Sequence, residues 1–380
     1  MSLRLIPIVL LLSIIPMAIG AANNSYDDCL RVAAKFSTTV SNGPVPNIVN
    51  TTGVNVTCAQ LANTSCPGTF INGVCTWRQK LCVTCINGST VRIRVQSNGL
   101  PRRCIFVPSF AFISERNIDF EVNFNPDVSV NAPNHAPSTL SALNSIVCNL
   151  SSQFNVPTTS AYSSTGMFAA VMAGVAVDGV IILNVNSMNQ VDPFYPSGNF
   201  TREGADQCLS HPTGQGEYHY HIASGCMVNP PSGNLVGCSP MIGCANNVAN
   251  YSMQTFSSYK NLTVIGIAKD GHVIYGPYLS SGERVTSGFD ICNGMFYDSI
   301  GNYAYFATST YPYITGCLGP GNYPAFTPNC TTNGPNSYTK SSYAASFSTP
   351  NKAAGNILSF MDGIFQLLMT FTIMLVPVFC

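Results

Sequence analysis

Charged side chains are scarce in this chain of 380 residues. Asp, Glu, Lys and Arg together make up 8% of it, and 16 acidic residues balance 16 basic ones. A protein that binds nucleic acid or an anionic membrane by electrostatics carries a basic patch or stripe. The composition therefore excludes nucleic acid as an expected partner, while the length allows two or three domains with real cores.

The usual catalytic signatures are missing as well. The sequence has no His-Glu-x-x-His, no Gly-x-Ser-x-Gly, no phosphate-binding Gly-Lys-Ser/Thr and no complete Gly-x-Gly-x-x-Gly. Long amphipathic helical patterns are also hard to find, whereas short β-prone runs alternate with Gly, Pro, Asn and Ser. We therefore expect a mainly β fold, assign no cofactor-binding residue and leave catalytic residues unknown.

Both ends of the chain are apolar. Residues 1–22 contain one Arg, an apolar run and then small residues, which predicts a secretory signal peptide, with a membrane anchor as the alternative. Residues 356–380 form an apolar tail with no basic residue after it, which is typical of a glycolipid (GPI) anchor signal; a terminal membrane helix is the alternative. The polar residues 331–355 predict a stalk rich in Ser, Asn and Gly. We expect the protein to be secreted or to be GPI-anchored on the extracellular side of the cell surface.

The cysteines agree with an oxidising compartment. Seven of the 16 cysteines lie between Cys29 and Cys104, and they predict a small disulfide-stapled Cys-rich β module over residues 23–105. The pair Cys82-x-x-Cys85 could be a zinc or redox site, but an ordinary disulfide framework is favoured because no second Cys-x-x-Cys follows.

Two further features concern covalent modification. If Cys380 is removed with the tail, 15 cysteines remain, and the odd number leaves one thiol that is free or that links two chains into a disulfide-linked oligomer. Asn-x-Ser/Thr sequons predict a glycoprotein. They begin at Asn23, Asn50, Asn55, Asn63, Asn87, Asn149, Asn199, Asn250, Asn261 and Asn329.

An internal repeat lies within residues 106–330, at about 168–226 and 260–317. The sequence "GVAVDGVII" returns as "GIAKDGHVI", "DQCLSH" returns as "DICNGM", and "GEYHYH" returns as "GNYAYF". Because the landmarks keep their order, the repeat indicates a duplicated β-rich domain. Each Asp-Gly pair is expected in a type I′ turn between two strands.

The repeat separates scaffold residues from residues that the fold does not need. Tyr218 and Tyr220 recur as Tyr303 and Tyr305, which indicates a structural role. The three histidines of the first copy do not recur: His211, His219 and His221 are replaced by Met295, Ala304 and Phe306. The histidines therefore behave as a set with a purpose other than packing. The cysteines suggest one disulfide in each copy, Cys208–Cys226 and Cys292–Cys317.

The run from about residue 168 to 321 resembles the YHYH domain family, named for the "YHYH" at Tyr218–His221. The similarity includes "GVAVDGVIILNV", "DPFYPSG", "DQCLSHPTGQGEYHYH", "IGIAKDGHVIYGPY" and "FDICNG". It implies a secreted or surface protein and no particular biochemical activity. A second Cys-x-Gly-His and a later tyrosine–histidine run, often seen in the family, read "CNGM" and "YAYF" here. The expected architecture is a duplicated β-rich YHYH domain preceded by the Cys-rich module.

The histidines of the first copy are candidate metal ligands. Side chains two residues apart on a strand share one face, so His219 and His221 could hold one ion, and the turn in "HPTGQGE" could bring His211 to them. Three imidazoles and an open position suit zinc or copper, and a zinc-bound water could support hydrolysis. Further ligands or orienting groups could come from the second hairpin or from the preceding loop: His272, Asp270 or Asp206.

An alternative without a metal stays open. The histidines could hydrogen-bond within a polar network or form a pH-sensitive contact, in a non-catalytic adhesin or coat protein that binds extracellular glycans or partner proteins. If the site were catalytic, Glu217 would be the nearest candidate general base, and His135 is expected to be a loop residue. The hypotheses differ in geometry, because a metal site requires the three imidazoles to converge.

Overall fold

A computed structural model describes the body of the chain. The described residues are 23–37, 56–60, 64–65, 76–77, 79–101, 103, 105, 113–127, 137–150, 162–165, 172–231, 235–319, 321 and 323–344. The predicted signal peptide, the predicted anchor signal, the end of the predicted stalk and His135 lie outside these residues. Among the described residues, no helix combines the length and the apolar composition needed to cross a membrane.

Strands dominate the described part of the chain, which confirms the predicted mainly β fold. The strands are β1 (Val56–Gln60), β2 (Thr64–Ser65), β3 (Thr76–Trp77), β4 (Lys80–Ile86), β5 (Arg92–Ser97), β6 (Ile118–Asn123), β7 (Tyr162–Thr165), β8 (Met172–Ala176), β9 (Ile181–Leu183), β10 (Ser210–Pro212), β11 (Tyr218–Tyr220), β12 (Val264–Ala268), β13 (Val273–Tyr275), β14 (Gly294–Phe296) and β15 (Tyr303–Phe306). The helices are α1 (Tyr26–Ala33), α2 (Leu140–Val147), α3 (Ile242–Asn246) and α4 (Val248–Gln254), with a 3-10 helix at Gly225–Met227.

The described strands form two main sheets. One has five antiparallel strands in the order β1-β4-β5-β6-β7, and the other has eight in the order β10-β11-β9-β8-β12-β13-β15-β14. The pairs β9–β11 and β13–β15 are parallel. Strands β6 and β7 lie after residue 105 in the sequence. The five-stranded sheet therefore includes residues from outside the predicted module of residues 23–105. The predicted domain boundaries stay a prediction.

Disulfides link distant parts of the chain. The structure contains Cys208–Cys226 and Cys292–Cys317, which confirms both suggested pairs. Cys29 is bonded to Cys85, so α1 is tied to β4 and Cys85 is not a zinc ligand, as the sequence favoured. Further disulfides join Cys148 to Cys330 and Cys238 to Cys244.

The two halves of the eight-stranded sheet have the same strand order. Read from the outer edge inwards, one half runs β10-β11-β9-β8 and the other runs β14-β15-β13-β12. The halves meet where β8 and β12 pair antiparallel, with Gly174 opposite Ala268 and Gly266 opposite Ala176. A Cβ atom on Gly174 would lie 2.3 Å from the carbonyl oxygen of Ile267, so this seam requires a residue without a side chain. Gene duplication would produce such an arrangement, but the duplication itself stays a prediction.

The two Asp-Gly turns differ from the predicted type I′ geometry. In the first turn, Gly179 N donates to Ala176 O at 2.8 Å and Ala176 N donates to Val180 O at 2.9 Å. Only the glycines have positive φ, 85° at Gly179 and 89° at Gly271, whereas a type I′ turn needs positive φ at both central residues. The type I′ prediction was therefore wrong. Each loop has three residues and ends in a left-handed glycine, the geometry of a turn followed by a G1 bulge.

Replacing the glycine of the second turn, Gly271, with alanine should cause a large loss of stability. A Cβ on Gly271 would lie 1.8 Å from the backbone oxygen of Asn123, whereas a Cβ on Gly179 would meet Gln79 Nε2 at 3.1 Å. In both substitutions the new alanine must adopt a left-handed conformation, which costs about 1–2 kcal/mol. Only Gly271→Ala also brings a Cβ atom into collision with a backbone atom. We expect Gly271→Ala to lower the free energy of unfolding by more than about 4 kcal/mol in urea titrations. Equal losses in Gly179→Ala and Gly271→Ala would contradict this account.

Candidate metal centre

A hairpin between β10 and β11 positions two of the histidines. Thr213 N donates to Glu217 O at 2.8 Å, and Gly216 takes a φ of 87° in the turn. The antiparallel register then sets His211 opposite His219, and residues that face each other across such a pair point to the same side of the sheet. Their ring centroids are 4.4 Å apart.

The third histidine follows directly after β11. His221 lies two residues beyond His219, so it returns to the same side of the sheet. One ligand nitrogen from each of His211, His219 and His221 lies within 4.8 Å of the others. His219 and His221 are buried, with 1% and 4% exposure, and His211 is half-buried. We call these residues the histidine group.

Hydrogen bonds fix the tautomers of the two buried histidines. Nδ1 of His219 lies 3.0 Å from the carbonyl oxygen of Glu217, and Nδ1 of His221 lies 2.7 Å from that of Asn184. A carbonyl oxygen only accepts, so each Nδ1 carries the proton and each Nε2 of a neutral ring presents a bare lone pair. These two Nε2 atoms are 3.0 Å apart. Two lone pairs at this distance cannot form a hydrogen bond, whereas a cation between them satisfies both.

Burial keeps these rings neutral. It lowers the pKa of His219 well below its ordinary value, with help from His211 and His221. Burial likewise lowers the pKa of His221 to about 4, although Glu203 opposes the shift. Ligands of a tetrahedral zinc ion with bonds of 2.0–2.1 Å are separated by roughly 3.3 Å, close to the separation of the two Nε2 atoms.

A carboxylate that the sequence analysis missed lies beside the histidine group. Glu203 Oε2 is 3.2 Å from His211 Nε2 and 3.6 Å from His221 Nε2. Burial acts to raise the pKa of Glu203, but the two histidines outweigh it and lower the pKa overall. The repeat carried a signal for this residue, because the position that matches Glu203 in the second copy is Ser287.

Glu217, the candidate base named from the sequence, lies elsewhere. Its Oε1 is 3.8 Å from Arg116 Nε. Burial raises the pKa of Glu217 to about 7, against the opposing charge of Arg116. Its backbone carbonyl, rather than its side chain, contacts the histidine group, through Nδ1 of His219.

The structure does not bring the other predicted ligands to the histidine group. His272 Nδ1 lies 3.0 Å from Asp270 Oδ2, and His272 Nε2 lies 3.1 Å from the carbonyl oxygen of Pro126. Both ring nitrogens thus face oxygen atoms, which leaves no lone pair directed at a metal. Asp206 accepts hydrogen bonds from Tyr218 and from the backbone N–H groups of Cys208 and Ser210.

The opposite face of β11 is structural. Tyr218 and Tyr220 are fully buried, and Tyr220 donates to Asp178 at 2.9 Å. The second half repeats the arrangement, since Tyr305 donates to Asp270 at 2.7 Å and Tyr303 donates to Asp290 at 2.8 Å. These contacts agree with the interpretation of the tyrosines as scaffold.

A pocket of about 490 Å³ opens next to the histidine group. Glu203, His211 and Ser210 contribute polar groups to it, and its walls are largely apolar. The apolar wall includes Phe194, Leu235, Val236 and Val248. The pocket reaches the histidine group at His211.

One family model matches part of the chain. Residues 153–288 match the family model described as YHYH protein, and this range contains the whole histidine group and Glu203. Neither a curated protein nor a solved structure matches the chain. The match confirms the resemblance found in the sequence.

Proposed function

We propose that this chain, which carries a YHYH domain over residues 153–288, binds a divalent metal ion through His211, His219 and His221. The observation that carries the proposal is the pair of Nε2 atoms of His219 and His221, 3.0 Å apart, in rings whose Nδ1 atoms both face carbonyl oxygens. Neutral imidazole is a preferred ligand of zinc and copper, and these are the metals we propose.

Burial of the imidazoles favours the metal over the rival function. An adhesin that used these histidines to contact a glycan or protein partner would present them to solvent, but His219 and His221 are buried. A structural polar network would pair the Nε2 atoms with donors instead of with each other. Neither alternative accounts for two facing lone pairs.

We also propose that the protein is a secreted or GPI-anchored glycoprotein of the extracellular cell surface. Its disulfides support an oxidising compartment. Most of the sequon asparagines among the described residues are exposed, as glycosylation requires: Asn23, Asn87, Asn199, Asn250, Asn261 and Asn329. A glycan or protein partner and a disulfide-linked oligomer remain compatible with this setting.

The second copy supplies a variant that tests the metal site. We expect H211M/H219A/H221F to fold, because Met295, Ala304 and Phe306 occupy the matching positions of β14 and β15. The full chain, produced in eukaryotic cells without a polyhistidine tag, should contain about one zinc or copper ion per molecule by elemental mass spectrometry. The triple variant should contain less than a tenth of that amount.

A fourth histidine provides the control. His272→Asn removes an imidazole that lies apart from the histidine group, so its metal content should equal that of the wild type. Circular dichroism checks that each variant is folded. A wild-type protein without bound metal, or a folded triple variant that retains it, would contradict the proposed site.

A further inference from the structure

We propose that the pocket beside the histidine group binds esters with a small apolar acyl group, and that Glu203 is the general base for their metal-assisted hydrolysis. This inference rests on the proposed metal site and adds a reaction to it. The pocket, the carboxylate and the histidine group carry the argument together.

A cluster of polar side chains marks the pocket as a ligand site. Ser210 Oγ is buried without a hydrogen-bond partner, and Glu203 Oε2 and His211 Nε2 face each other at 3.2 Å; all three residues line the pocket. Buried polar atoms in native proteins almost always have a partner, so the unpaired hydroxyl of Ser210, beside the carboxylate and imidazole at the same pocket, requires an explanation. A metal ion, a water and a substrate carbonyl would satisfy them.

The second copy shows that the fold does not require these polar groups. Ser287, Gly294 and Met295 occupy the positions that match Glu203, Ser210 and His211. The neighbouring turn is nevertheless the same in both halves, since Asp206 N donates to Ser210 O and Asp290 N donates to Gly294 O, each at 2.9 Å. The polar set in the first half therefore serves something other than the turn.

Glu203 lies beside two members of the histidine group. Its Oε2 lies 3.2 Å from His211 Nε2 and 3.6 Å from His221 Nε2, yet Glu203 is not one of the residues whose ligand atoms all lie within 4.8 Å of one another. A metal ion held by three imidazoles keeps a fourth position for water. We infer that a water bound there would lie within reach of Glu203, as the role of general base requires.

The walls of the pocket indicate the class of substrate. Its volume of about 490 Å³ lies within the range of small-molecule sites, which are mostly apolar and carry a few polar groups that orient the ligand. Phe194, Leu235 and Val248 provide apolar lining, and polar groups come from Arg202, Glu203, Asp206, Ser210, His211 and Ser239. An ester with a short apolar acyl chain combines an apolar body with a polar carboxyl group, which suits a lining of this kind.

The reaction balances without a further reagent. Glu203 takes a proton from the water at the fourth position, and the oxygen of that water forms a bond to the ester carbonyl carbon while the carbonyl π electrons move onto its oxygen. When the carbonyl re-forms, the bond to the alcohol oxygen breaks, and that oxygen takes the proton from Glu203. One water and one ester give one carboxylic acid and one alcohol.

The test compares metal content with esterase activity in the same samples. Zinc-loaded full-length protein should hydrolyse p-nitrophenyl acetate and butyrate, and H211M/H219A/H221F should not exceed the rate without protein. Glu203→Gln should retain the metal and lower kcat at least 100-fold, the lower end of the usual contribution of a general base. Glu283→Gln, at an exposed position of the second half, is the matched control and should keep full activity.

A second variant tests the pocket without touching the metal site. Val236 lines the pocket and is 47% exposed, so Val236→Trp should fold, keep the metal and lower kcat/KM for the butyrate ester at least tenfold. Metal binding without hydrolysis, or unchanged kinetics in Glu203→Gln or Val236→Trp, would overturn this inference and leave the metal site standing. Loss of metal in Glu203→Gln would make Glu203 a ligand and overturn its role as base. Absence of metal from the wild type would overturn both proposals.

Discussion

Replacing Arg103 with Met should lower the free energy of unfolding by roughly 3–5 kcal/mol. Arg103 is buried, and its Nη1 lies 2.7 Å from Asp178 Oδ2. Its Nη2 donates to Tyr220 at 2.7 Å, and the guanidinium carbon lies 5.7 Å from the centre of the Tyr218 ring. Removing this cation leaves the buried carboxylate of Asp178 without its counter-charge, which is the costly way to break a buried ion pair.

Replacing Arg103 should also weaken β11, the strand that carries His219. Tyr218 and Tyr220 flank His219 on β11, and Arg103 holds the phenol ends of both. Burial by itself acts to lower the pKa of Arg103, but the surrounding phenols and carboxylates raise it overall. The arginine therefore stays charged and anchors the strand that carries the metal ligands.

Urea denaturation of paired variants would measure this effect. Arg92→Met is the control, because Arg92 pairs with Glu121 at the surface, where ion pairs contribute about 0–1 kcal/mol. Adding Asp178→Asn to Arg103→Met should restore part of the loss, because it removes the uncompensated charge. Equal stabilities of Arg103→Met and Arg92→Met would show that the buried pair does not support the fold.

Alternation along one strand was enough to predict the centre of the site. The period of two in "YHYH" predicted that His219 and His221 share a face and that the tyrosines occupy the other, and both features are present. The repeat identified the tyrosines as scaffold by their recurrence. The same comparison also contained Glu203, whose counterpart is Ser287, but no spacing rule connects Glu203 with the histidines.

Contacts between distant segments could not be predicted in this way. Arg103 reaches Asp178 across 75 residues, from a stretch that the sequence analysis assigned to the Cys-rich module. His272 was grouped with the other histidines by residue type, yet it lies beside Asp270 and the carbonyl of Pro126. Residue type and order do not encode which sheet edges meet, so these contacts depend on the three-dimensional packing.

The last prediction concerns stability after removal of the metal. A metal that binds only the folded state stabilises it by RT ln(1 + [L]/Kd), which is roughly 4 kcal/mol when free zinc is 1,000 times Kd. Treating the loaded wild type with a chelator should therefore lower Tm by about 8 °C, at about 2 °C per kcal/mol for a chain of this size. Added zinc should restore the original Tm.

The triple variant H211M/H219A/H221F is the control for the effect of the chelator on Tm. Without metal, the wild type buries two Nε2 lone pairs that face each other at 3.0 Å. H211M/H219A/H221F removes these lone pairs and all three proposed ligands. We expect its Tm to be insensitive to chelator. If differential scanning calorimetry found the same response to chelator in both proteins, the stabilising ion would have to lie outside the histidine group.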